Sequence, residues 1–146
     1  LTAGTAASKP QHLVLVLDDT ASMRYRDTGR TRSNFEAGIE AANDLLSKLN
    51  DNRDRVTLIR VSSVQQQEGD DETDRDLAKR LNREIPVLDV RKARELLGQA
   101  RPGYGSGSLL PALKEAGRRI ASMDGDREVP RLSVHLLREH KVKYDA

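Results

Sequence analysis

The sequence contains no cysteine, which excludes a disulfide framework and a thiolate metal site and leaves the redox compartment unread. Its longest apolar run is Leu13 to Leu17, far short of the roughly 20 residues that a membrane helix needs. Residues 1–10 also lack the apolar stretch of a signal peptide, so a soluble segment without membrane contact is expected. Neither sign of charge dominates, since 25 Lys and Arg stand against 23 Asp and Glu, and the field around the molecule is mixed. Aromatics make up only 3% of the chain and are not interleaved with the cations, so nucleic acid is not an expected partner. At 146 residues the chain is long enough for one buried core but not comfortably for two. One domain over 12–146 is expected, with 1–11 as a linker. The opening on Leu1, followed by small and polar residues, reads as a segment of something longer, of unassigned localisation.

The elements that are present alternate between strand and helix. The run His12 to Leu17 is apolar and rich in β-branched residues, as in a strand buried on both faces of a parallel sheet, and it should form the sheet centre. Ser33 stands three residues before Glu36, the pattern of a capping box, and predicts a helix start there. Phe35, Ile39, Ala42, Leu46 and Leu49 then recur at helical spacing and should pack on the sheet. Val56 to Val61 reads as a second strand, so strand, helix and strand imply a parallel crossover. Residues 65–76 are polar and acidic and are expected to form an exposed insertion. Leu77, Leu81 and Ile85 mark a short helix, Pro86 to Asp89 a brief edge strand, and Val90 to Ala100 a helix ended by Pro102 and Gly103. After the glycine-rich loop 103–108, the residues Leu109, Leu113, Ala116, Ile120 and Met123 predict a further helix with Pro111 in its first turn. Asp124 and Asp126 would lie in its exit turn, and Leu132 to Leu137 is the next buried strand. The fold class is α/β, a doubly wound and mostly parallel sheet with helices on both faces.

In such sheets the ligand site lies beyond the carboxyl ends of the strands, where the strand order reverses. Asp18, Thr20 and Ser22 follow the first strand at alternate positions and supply one carboxylate and two hydroxyls, all hard oxygen donors. Magnesium takes such ligands in an octahedron at roughly 2.1 Å, often with only one or two carboxylates. A set this poor in anions leaves room for a carboxylate from outside. Arg24, Arg26, Arg30 and Arg32 crowd the same loop beside Tyr25, and Tyr104 sits in the second loop. Tyr and Arg are favoured at interface hot spots, so Arg24, Tyr25, Arg26 and Tyr104 are candidate partner-binding residues. His12, His135 and His140 show no ligand spacing and are expected to be structural.

The run Asp18 to Met23 resembles the metal-ion-dependent adhesion site of von Willebrand factor A domains, Asp-x-Ser-x-Ser, with Thr20 in the first hydroxyl position. The resemblance spans about residues 12–139. It implies the family's Rossmann-like doubly wound fold, with the last strands missing here. The loop 103–108 is similar to the family's second metal loop, which implies Ser106 or Ser108 as a further ligand. Val134 to Glu139 resembles the fourth strand and the loop after it, where Arg138 and Glu139 stand in place of the expected serine or threonine and aspartate, so Glu139 is the implied acidic ligand. The resemblance implies a bound magnesium ion, with manganese or calcium as substitutes, and a non-enzymatic domain that binds an Asp or Glu of a protein partner. The run Arg24-Tyr-Arg-Asp27 after the motif and the strand Val134-His-Leu-Leu137 are most similar to the bacterial membrane-anchored aerotolerance-regulator group, which implies a membrane-anchored parent and work alongside a MoxR-type AAA ATPase in envelope or complex assembly.

Two other functions start from the same residues. One is a structural interaction module that works without metal. The other is a magnesium-dependent phosphotransferase of the haloacid-dehalogenase type with Asp18 as nucleophile. That chemistry uses a second aspartate two positions on as general acid, and here the position is Thr20.

Overall fold

A computed structural model of the chain describes residues 10–26, 29, 31–65, 72–123 and 131–137. Strand β1 (Gln11–Leu17) holds the apolar run, and Val14, Leu15, Val16 and Leu17 are fully buried, as a central parallel strand requires. It takes in Gln11 from the expected linker. Strands β2 (Arg55–Arg60) and β4 (Arg131–Leu137) pair with β1 from opposite sides, both parallel. The two-residue strand β3 (Leu88–Asp89) runs antiparallel on β2 at the edge, giving the order β3-β2-β1-β4. The chain is therefore mixed α/β with a mostly parallel sheet.

Side chains alternate across a strand, and β1 divides them between two cores. Leu13, Leu15 and Leu17 pack with Phe35, Ala42 and Leu46 of helix α1 (Asn34–Leu46) and with Ala93 and Leu97 of α3 (Val90–Gln99). Val14 and Val16 join Leu81 of α2 (Asp74–Glu84) and Ala112 and Ala116 of α4 (Leu110–Met123). Each fully buried Val or Leu contributes roughly 1.5–3 kcal/mol, so the end of β1 is held from both faces.

Local chemistry starts the helices where the sequence requires. Ser33 Oγ accepts from the Glu36 N–H at 3.2 Å, Thr73 Oγ1 from Asp76 at 3.1 Å, and Asp89 Oδ1 from Lys92 at 2.7 Å, each satisfying an amide that the first helical turn leaves open. The Thr73 cap shortens the expected insertion, because Asp74 to Asp76 open α2, while 66–71 lie outside the described residues. So do Arg30, Asp124, Asp126 and residues 138–146, which include Arg138, Glu139 and His140.

Helix α4 departs from its expected face. Leu113 is 41% exposed, whereas Glu115 and Arg119 are only 4% and 5% exposed. The buried stripe is Ala112, Glu115, Ala116 and Arg119, displaced round the helix from the predicted one. The charges are admitted because they satisfy one another: Arg119 Nε donates to Glu115 Oε2 at 2.6 Å and its Nη2 to the Leu81 carbonyl at 2.9 Å. Arg118 adds bonds to both carboxylate oxygens at 2.7 and 2.6 Å. At the amino ends of β1 and β2, fully buried Asp54 accepts from the amides of Gln11 and Asn50 at 2.8 and 2.7 Å and from Arg53 at 2.9 Å.

Candidate metal centre

Strand β1 ends at Leu17 between two parallel neighbours, and the chain leaves it through buried Asp18, Asp19 and Thr20 into a short 3₁₀ turn, Ala21–Arg24. Asp18 Oδ1 accepts from both the amide and the hydroxyl of Thr20, at 3.0 and 2.6 Å. Thr20 Oγ1 in turn lies 3.2 Å from Ser22 Oγ. The three predicted oxygens thus form a chain with spacings of 2.6 and 3.2 Å, running from the buried carboxylate to the exposed Ser22.

Those spacings allow a test of fit. Adjacent oxygens around magnesium, each at roughly 2.1 Å in an octahedron, sit about 3 Å apart. The Asp18–Thr20 and Thr20–Ser22 spacings are those of hydrogen bonds and are also compatible with two such edges, and the donors are of the hard type that magnesium selects. Among the described residues no group of three or more His, Cys, Asp or Glu converges, and Asp18 supplies the one carboxylate of this oxygen chain.

The second loop docks on the first through the backbone. The Gly103 amide donates to the Asp19 carbonyl at 2.7 Å, and the Ala21 amide to the Gly105 carbonyl at 2.9 Å. A Cβ at 103 would lie 3.4 Å from the Asp19 carbonyl oxygen, an ordinary van der Waals contact, so this docking does not itself demand glycine. Of the two serines, Ser108 is engaged elsewhere. Its Oγ accepts from the Leu110 amide at 3.3 Å, at the start of α4, while its backbone exchanges hydrogen bonds with the Gln65 side chain at 3.2 and 2.8 Å. Ser106 is exposed and directly follows the docked Gly105.

Compared with known proteins, the sequence matches no family model and no curated protein.

Around the motif, Tyr25 is 53% and Tyr104 86% exposed. Arg24 lies over the Tyr104 ring at 3.8 Å and donates to the Gly103 carbonyl at 2.9 Å and to that of Pro102. Arg26 approaches Glu36 at 4.0 Å and Arg32 pairs with Glu40, exposed pairs of little energetic weight. Glu139 lies outside the described residues.

Sequence reading passed over Asp19. Its carboxylate accepts from the amide and hydroxyl of Ser62, the former at 2.9 Å, tying the end of β1 to the 3₁₀ turn Val61–Val64 that follows β2. The available signal was Asp19 just past one parallel strand and Ser62 just past its neighbour. A cleft of about 450 Å³ between α2 and α4 is lined by Leu77, Leu81, Leu110, Pro111 and Lys114 among others, with Ser108 at its edge. Asp18, Thr20 and Ser22 do not contribute to it.

Proposed function

We propose that this chain is a non-enzymatic interaction domain of the von Willebrand factor A type, with a doubly wound sheet, in which Asp18, Thr20 and Ser22 hold a magnesium ion that accepts a carboxylate from an acidic residue of a protein partner. The observation that carries the reading is the chain of three oxygens spaced 2.6 and 3.2 Å apart at the carboxyl end of β1. Parallel neighbours on both sides of that strand support it, because open α/β sheets bind ligands at such ends. Ser106 is the better candidate than Ser108 for the second-loop ligand, since the Ser108 hydroxyl accepts from the first turn of α4. When bound, the ion supplies a Lewis-acidic position that a partner carboxylate completes. Tyr25 and Tyr104, exposed on the two loops, supply apolar contact area around it. A MoxR-type AAA ATPase system fits the resemblance as the setting for such a partner.

The phosphotransferase reading is weaker. The position where that chemistry keeps a carboxylic acid holds Thr20, whose hydroxyl is bonded to Asp18 at 2.6 Å and does not serve as a general acid near neutral pH.

Capture on an immobilised glutamate-rich peptide, with magnesium or with chelator, tests the proposal. Retention that requires magnesium and disappears in Asp18→Ala is expected. Retention unchanged by chelator would favour metal-independent recognition, and phosphatase turnover lost in Asp18→Asn would favour the enzyme.

A further inference from the structure

Arg24 is exposed, yet its guanidinium is turned back onto the protein. It donates through Nε to the Gly103 carbonyl at 2.9 Å and through Nη2 to the neighbouring Pro102 carbonyl, while its Cζ lies 3.8 Å above the Tyr104 ring. All three contacts fall on one stretch of chain, 102–104, at least 78 residues away in sequence. That stretch holds one of the two backbone bonds to the metal-motif loop, Gly103 N–H to the Asp19 carbonyl, and the next residue, Gly105, accepts the other from Ala21 N–H. The fork of a guanidinium suits two adjacent carbonyls and a ring face at once, which an ammonium cannot reproduce.

We propose that Arg24 is a latch, a positioning residue that holds the loop 103–108 against the Asp18 to Ser22 loop and so fixes the second-loop hydroxyl relative to the three motif oxygens. Arg24 is one residue past buried Met23 at the end of the 3₁₀ turn, so its own backbone is anchored to the core. Residues Arg101 to Tyr104 have no helix or strand of their own, and the latch supplies part of what regular structure would. Its use in ion binding rests on the metal-site reading; its role in holding the loops does not.

Amide hydrogen exchange on the intact chain, without metal, separates the two. In Arg24→Ala the amides of Ala21 and Gly103 should exchange faster while those of Leu15 and Val16 keep their protection, a local opening rather than global unfolding. Unchanged exchange at Ala21 and Gly103 would overturn the latch. Magnesium titration then reads positioning. Arg24→Ala should bind about tenfold more weakly than the unaltered chain, as expected when a group supporting the ligands is lost, with at most partial recovery in Arg24→Lys. Affinity equal to that of the unaltered chain would overturn the positioning role. An unaltered chain that takes up no magnesium would defeat the metal-site reading, and the exchange comparison would still decide the latch.

Discussion

At residue scale, His12 is a buried titratable group with a definable consequence. Its Nε2 lies 2.7 Å from Thr57 Oγ1, and burial, helped by the nearby charges of Arg119 and Arg55, holds its pKa below the ordinary value. The unfolded chain therefore takes up a proton near pH 6.5 that the folded chain resists. Stability from this group is present in full above that pH and is lost as pH falls through and below it. Urea midpoints measured at pH 7.5 and 5.5 should drop at the lower pH, and the drop should shrink in His12→Asn. An equal drop in both would place the acid sensitivity elsewhere. Asp54 follows the same sign at lower pH. Burial opposes its charge, but Arg53 and the amides of Asn50 and Gln11 outweigh that and lower its pKa.

At element scale, α4 is held by a pair that its apolar spacing did not announce. Glu115 and Arg119 are almost fully buried, and Arg119 reaches the Leu81 carbonyl on α2, so the pair joins two helices on one face of the sheet. Removing one partner leaves an uncompensated buried charge. Glu115→Ala should cost about 3–5 kcal/mol, whereas Glu115→Leu combined with Arg119→Met should recover most of the loss. Urea denaturation of the three proteins checks this, and a single-variant cost under about 1 kcal/mol would mean that water reaches the pair. The same helix shows where sequence reading stops. The β1 run, the Ser33 cap with Glu36 three residues on, and the Asp18, Thr20 and Ser22 spacing were legible because each is local and periodic. Asp19 on Ser62 and Gln65 on Ser108, each 43 residues apart, and Arg24 on Gly103, 79 apart, depend on which chain ends the sheet brings together. Single-helix periodicity also treats charges as solvent-facing, so it turned α4 toward Leu113 and away from Glu115 and Arg119.

At the scale of the whole molecule, the sheet order decides where chemistry can happen. Placing β1 between β2 and β4 puts its exit at the middle of the sheet's carboxyl edge, where the turn after β2 and the loop before α4 also arrive. Asp19 binds the first of these and the backbone bonds of Gly103 and Ala21 bind the second, so Asp18, Thr20 and Ser22 stand on a braced platform. Preorganisation of this kind limits what a ligand must spend on ordering the loops. Among the described residues no helix is long and apolar enough to cross a membrane. The most direct test is calorimetric titration of magnesium, and separately manganese, into the metal-stripped chain beside Asp18→Ala in the same buffer. Saturable binding of one ion per chain, absent in Asp18→Ala, is the predicted result. Heat no different from dilution in the unaltered chain, or equal binding in both proteins, would contradict a metal centre at Asp18, Thr20 and Ser22.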